Sequence, residues 1–240
     1  MTIEYMGTNF CGYQIQPGQR SVQGELERVM KDVLKEEIKT FASGRTDAGV
    51  HALGQVVHFD TKKEWKPDRI LASLNLYLPP DISVIKAEEV NENFDARFNS
   101  HSKTYGLRFY LSRYTRPHLV NRSNRVNDNV DVKLMGEACK YFVGSHDFKS
   151  FVARKSGKTD FVRTIYSAKI HKINDEEYEF EVSGNGFLYN MVRIMFGTLL
   201  LVGTKKIKPE DITKIIDGKN RNMAGKTEKP QGLYLKSVKY

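Results

Sequence analysis

The sequence predicts an α+β fold: two ferredoxin-like halves that share one continuous, mainly antiparallel sheet, with helices on one face and a cleft on the other. Three observations predict it. Alternating and amphipathic segments follow one another as β-α-β, β-α-β over the first hundred residues, and the same order of elements returns over the rest. No Gly/Ser-rich linker divides the chain, so halves of residues 1–100 and 101–240, meeting near residues 99–102, are expected to pack tightly. The 240 residues, 40% hydrophobic and 28% charged, suit one large domain or two small ones with a sizeable core.

Thr2-Ile3-Glu4-Tyr5 alternates and reads as a strand. A turn-rich stretch runs through Pro17 and Gly18. Ser21 can then cap a helix whose Val22, Leu26, Val29, Met30, Val33 and Leu34 form one stripe. Glu25 and Glu27 lie near its start, where the helix dipole favours acids. A short strand over residues 38–42 leads into a Gly-rich loop, Ser43 to Gly49, followed by a strand over 55–59. Pro67 opens a second helix through Leu71 and Leu74, and residues 82–90 return as a strand. In the second half, residues 103–111 read as a strand. Residues 131–142 read as a helix with Val132, Met135, Cys139 and Phe142 on one face. Paired strands follow over 161–172 and 178–183, then an apolar helix over 188–202, a short helix over 209–216 and a closing strand over 233–238.

The charge balance narrows the partners. Lys and Arg number 38 against 29 Asp and Glu, a net +9. Such an excess favours a polyanion, because each phosphate neutralised releases a condensed counterion. A membrane is not expected: the chain shows no signal peptide, lipidation motif or apolar run of spanning length. Cys11 and Cys139 are too few and too far apart for a disulfide framework or a Cys-based zinc site, and read as thiols of a reducing cytoplasm. His51 and His58, with Asp47 four residues before His51, are a poor metal set because no further His or Glu cluster completes the shell. His101, His118, His146 and His171 are scattered.

Two features ask for an explanation. In Gly44-Arg45-Thr46-Asp47-Ala48-Gly49-Val50-His51, glycines bracket an Arg, a Thr and an Asp, and can hold Asp47 and Arg45 on a fixed tip. The bland alternative is an Asp that only hydrogen-bonds its own turn. A Walker loop does not fit, because Gly-Lys-Ser/Thr is missing. The second feature is Arg193, the only charged residue between Phe187 and Val202. A guanidinium in a buried helix needs an anionic partner, either a structural carboxylate or one in the cleft. Aromatic residues stand beside basic ones in Lys103-Thr104-Tyr105 and Arg108-Phe109-Tyr110, suiting either a base-stacking face or ordinary sheet packing. The basic run over residues 154–158 is a candidate phosphate contact or a solvated loop.

Gly44 to Ala52, followed by Gly54-Gln55-Val56-Val57-His58-Phe59, resembles the signature of the tRNA pseudouridine synthase A family. The resemblance spans nearly the whole chain. Gly7-Thr8-Asn9-Phe10-Cys11-Gly12, Phe94-Asp95-Ala96-Arg97-Phe98 with Lys103-Thr104-Tyr105, and His146-Asp147-Phe148 match further blocks. So do Val162-Arg163-Thr164-Ile165, Gly186 to Arg193, and Gly232-Leu233-Tyr234-Leu235. Met6, Tyr13, Gly184 and Gly186 depart from the family's usual Asp, Trp and alanines. The resemblance implies isomerisation of uridine to pseudouridine at positions 38, 39 and 40 of the tRNA anticodon arm, by a cytoplasmic homodimer with an RNA-binding cleft. It implies Asp47 as the catalytic aspartate, Tyr105 as the tyrosine stacked on the target base, Arg193 as the partner of the aspartate, and Arg45 as the residue that holds the base out of the helix.

The reaction exchanges a C–N for a C–C glycosidic bond with no atom gained or lost, so no cofactor and no metal are expected. Two non-enzymatic classes compete: an RRM-like RNA chaperone, which would need aromatic RNP patterns on its central strands, and a basic structural protein, which would need neither Asp47 on its Gly-bracketed loop nor Arg193 in its helix.

Overall fold

A computed structural model describes residues 1–153 and 159–240. The basic run at 154–158 lies outside the described residues. The chain divides into two compact units, one of Met1–His101 with Tyr234–Tyr240, the other of Ser102–Leu233. Among the described residues, no helix is long and apolar enough to cross a membrane.

The first unit is built in the order β1 (Thr2–Tyr5), α1 (Val22–Leu34), β2 (Phe41–Ala42), β3 (His51–His58), α2 (Pro67–Tyr77) and β4 (Ile82–Lys86). β4 pairs β1, β1 pairs β3 and β3 pairs β2, all antiparallel, which is the ferredoxin-like order. Ser21 caps α1 as its sequence predicts, its hydroxyl accepting from the Gly24 N–H at 3.2 Å. Val22, Leu26, Val29, Met30 and Leu34 are buried, and Val33, at the edge of the stripe, is half-buried. α2 starts on Pro67 but buries Ile70 and Leu74 rather than Leu71. The Asn75 side chain fastens α2 to the edge strand β4 by bonding both the N–H and the C=O of Val84 at 2.8 Å.

Two strands differ in length from the sequence reading. β2 is reduced to two residues, while β3 begins at His51, four residues earlier than the apolar run suggests. The early start has a tertiary cause. The C-terminal strand, Leu233–Lys239, runs parallel to β3 and pairs Tyr234 with His51 and Leu235 with Ala52. Parallel partners are joined only through long crossovers, so local sequence carries no sign of them. This pairing also places residues from Tyr234 onward in the first unit, whereas the order of elements counts them with the second half.

The second unit contains β5 (Ser102–Leu111), β6 (Asn124–Val126), α3 (Val132–Ala138), β7 (Gly144–Asp147), β8 (Val162–Lys172), β9 (Glu177–Gly184), α4 (Met191–Gly203) and α5 (Asp211–Asp217). β5, β9, β8 and β7 pair antiparallel in that order, and β6 lies parallel to the end of β5. β6 and β7 are absent from the sequence reading because Asn-Arg-Val and Gly-Ser-His-Asp carry no apolar alternation; partner strands hold them extended. The expected helix over 131–142 is α-helical only to Ala138 and tightens to a 3-10 turn over Cys139–Phe142. α4 is apolar nearly all round, and Phe196 on it meets the rings of Phe109 on β5 and Phe180 on β9 at 4.9 and 6.3 Å.

Candidate active site

Asp47 and Arg45 stand on the loop between β2 and β3. Both roots of this loop are held by polar contacts. The Ser43 N–H donates to the Val56 C=O at 2.8 Å, and its hydroxyl donates to Gln55 Oε1 at 2.7 Å. The Gln55 amide then donates to the Gly44 C=O at 2.7 Å. Gln55 and Ser43 are fully buried, so these bonds act away from competing water. Thr46 hydrogen-bonds the Tyr5 hydroxyl at 2.8 Å, and burial raises the Tyr5 pKa to about 12, so that phenol stays protonated at neutral pH. The Val50 N–H closes a turn on the Asp47 C=O at 3.1 Å, with Gly49 at φ +78°, the left-handed position a type II turn gives to glycine.

A second segment backs the tip. Gly12 bridges Asp47 strand-to-strand, and the Tyr13 N–H donates to the Thr46 C=O at 3.1 Å. Gly12 sits at φ +117°, and a Cβ there would lie 2.8 Å from the Thr46 carbonyl oxygen. Both the backbone angle and the close approach therefore demand glycine. The other ends of this segment reach the first turn of α1, where the N–H groups of Val22 and Gln23 donate to Gly12 and Tyr13 carbonyls at 3.2 and 2.9 Å. Asp47 is half-buried and Arg45 exposed on this frame.

His51 and His58 have structural work. His51 is fully buried, accepts from the Gly7 N–H on Nδ1 at 2.9 Å, and stacks on Tyr234 at 4.6 Å. His58 accepts from the Ala96 N–H on Nδ1 at 3.0 Å. Among the described residues one cluster could offer metal ligands, His171, Glu179 and Glu181. Arg108 stands 3.5 Å from Glu179 and Lys169 3.1 Å from Glu181, so cations already oppose a divalent ion there.

Tyr105 and Arg193 belong to the second unit. Tyr105 lies on β5 opposite Val182 of β9, half-buried, with the Phe187 ring edge-on at 5.1 Å and 80°. Arg193 is half-buried on α4, among neighbours that are almost all fully buried. Its Nε donates to the Glu228 C=O and its Nη1 to Asn190 Oδ1, both at 2.6 Å. These two partners are neutral oxygens; the Glu228 carboxylate pairs instead with Lys226 at 3.3 Å. Phe187 and Arg193 are six residues apart, so one short stretch orders both the tyrosine ring and the guanidinium.

Sequence reasoning did not find Arg20 and Asp81. The Arg20 guanidinium meets both Asp81 oxygens, at 2.7 and 2.9 Å, reaches Glu25 at 3.1 Å and lies over the Phe10 ring at 4.1 Å. The Cys11 N–H donates to the Arg20 C=O at 2.9 Å, so this pair steadies the segment behind Asp47. The Arg20 hydrogen bonds hold the Asp81 carboxyl below the usual range. The two residues are 61 apart, and no local pattern links them.

Comparison with known proteins agrees along the whole chain. The tRNA pseudouridine synthase family profile matches residues 1–99 and 138–240. A tRNA pseudouridine synthase A from Geobacillus sp. (strain WCH70) is 46% identical over 240 residues, covering 100% of this chain and 96% of its own. The namesake from Exiguobacterium sp. (strain ATCC BAA-1283 / AT1b) is 42% identical over 240 residues at the same coverage. That from Bacillus pumilus (strain SAFR-032) is 46% identical over 243 residues, covering 100% of this chain and 97% of its own.

Proposed function

Because the chain belongs to the tRNA pseudouridine synthase family, we propose that it isomerises uridine to pseudouridine at positions 38, 39 and 40 of the tRNA anticodon arm, with Asp47 as the catalytic carboxylate. The observation that carries the proposal is end-to-end similarity at 46% identity to a tRNA pseudouridine synthase A. The tightly braced loop under Asp47 supports it, since a catalytic group must be held close to its productive position.

The reaction breaks the bond between C1′ of the ribose and N1 of uracil, then joins C1′ to C5 of the same ring. The proton leaves C5 and N1 becomes protonated, so atoms and electrons balance with no added reagent. Asp47 serves as nucleophile or base, and both roles need the carboxylate ionised. Arg193 is the cation proposed to keep it so, because a nearby positive charge favours the ionised form. The target base must leave its stack first, at a cost of roughly a few kcal/mol. Arg45, exposed on the loop tip, is proposed to fill the gap, and Tyr105 to stack on the extruded ring. The net charge of +9 supports affinity for the phosphate backbone. A homodimer working in the cytoplasm completes the proposal, and light scattering at enzyme-assay concentrations tests its dimeric part.

Incubation with a tRNA transcript carrying uridine at 38 to 40, followed by carbodiimide primer extension, tests the site of action. Stops at those uridines, lost when each is replaced by cytidine, are the expected result. Stops elsewhere, with none at 38 to 40, would contradict the assigned positions.

A further inference from the structure

Asn190 occupies the N-cap position of α4, where an asparagine ordinarily turns its side-chain oxygen back onto the helix N–H groups. It makes no such bond here. Its backbone is left-handed, with φ 61° and ψ 9°, a conformation that asparagine tolerates better than most residues. Its Oδ1 instead accepts from Arg193 Nη1 at 2.6 Å. A residue that gives up its cap and holds an uncommon backbone angle is fitted to Arg193 rather than to the helix.

The second grip on Arg193 is also built. Glu228 accepts from Nε through its main-chain oxygen, and its own N–H returns to the Arg193 C=O at 3.4 Å. The segment before Glu228 is pressed onto α4. A Cβ on Gly197 would fall 2.0 Å from the Lys226 carbonyl oxygen, and one on Gly225 would fall 2.2 Å from the Gly197 carbonyl carbon. Thr198 fastens the same place, its hydroxyl accepting from the Gly225 N–H and donating to the Ile194 C=O, each at 2.9 Å. Backbone touches backbone here, and only glycine permits it.

We propose that Asn190 and the 225–228 segment form a clamp that orients the Arg193 guanidinium, which makes Asn190 a positioning residue for the reaction. The proposal rests on the reading in which Arg193 serves Asp47. The chemistry of the clamp fits that service. A guanidinium offers donors in a rigid fork, so two fixed acceptors at Nε and Nη1 set the plane of the whole group. Both acceptors are neutral, so they set direction without cancelling the charge that acts on a carboxylate.

The test uses the full chain, with steady-state tritium release from C5-labelled tRNA and a separate measurement of tRNA affinity. Asn190→Gly suits the left-handed backbone and removes only the acceptor, whereas Asn190→Asp keeps an acceptor in the same place but adds a negative charge against the guanidinium. Asn190→Gly is expected to lower kcat about tenfold through loss of orientation, with tRNA affinity and melting temperature held. Asn190→Asp is expected to fall at least as far, because its carboxylate cancels the charge that the neutral acceptors leave free. Thr198→Val, which frees the Gly225 N–H and loosens the other arm, is expected to lower kcat more than affinity. A kcat unchanged in Asn190→Gly, an Asn190→Asp variant as active as wild type, or a kcat unchanged in Thr198→Val would overturn the clamp. Arg193→Ala separates the two levels: full activity there would sink the role of Arg193 itself, whereas loss there with an innocent Asn190→Gly would sink the clamp alone.

Discussion

Arg20 and Asp81 carry a consequence that can be measured without any RNA. The guanidinium grips both carboxylate oxygens, so the ionised form of Asp81 is favoured in the folded chain. A carboxyl whose folded pKa is depressed adds stability above its unfolded value and loses it as pH falls through the folded one. Both side chains keep some contact with water, 35% for Arg20 and 19% for Asp81, which limits the gain. Asp81→Asn is expected to cost about 1 kcal/mol at pH 7, at the upper end of partly exposed pairs. The difference from wild type should shrink as pH drops below about 4, the ordinary carboxylate range. Denaturant melts of both proteins between pH 3 and 7 check this, and a gap that stays constant with pH would contradict it. At this same scale the sequence was uneven. Asp47 and Arg45 stand out because glycines bracket them, and Arg193 because it interrupts an apolar run. Asn190 and Gln55 look ordinary in sequence, because their importance comes from partners brought by the fold.

Helices and strands with a periodic pattern were legible. The Ser21 cap and the stripe of α1 read directly, since each apolar position recurs on one helical face. β6 and β7 did not, because their extended form is imposed by pairing rather than by their own residues. The extension of β3 back to His51 likewise depends on the C-terminal strand. Gly54 marks that meeting: a Cβ there would lie 2.7 Å from the Lys236 carbonyl oxygen. Gly54→Val is therefore expected to force the two backbones apart and to cost about 1–3 kcal/mol, as overpacking does. Thermal unfolding checks the value, and a melting point equal to wild type would show that the strands can yield. Gly184 tells a similar story, since an added Cβ would fall 2.7 Å from the Thr164 carbonyl oxygen. Gly186 has room for a Cβ, and nothing in the structure explains its choice.

At the scale of the whole molecule, we propose that a chain with a net charge of +9 grips tRNA through phosphates and uses Asp47 for the chemistry. The two parts separate experimentally, because phosphate contacts answer to salt while an aspartate answers to substitution. The most direct measurement is tritium release from tRNA labelled at C5 of uridine, run with wild type and Asp47→Asn side by side, together with tRNA affinity. The amide is nearly the size of the carboxylate but is neither an anionic nucleophile nor a base. Wild type should release tritium, and Asp47→Asn should lose at least about 100-fold of that rate while binding tRNA as before. Release by Asp47→Asn at the wild-type rate would remove Asp47 from the chemistry. Binding without release by either protein would leave a tRNA-binding protein that does not catalyse this reaction.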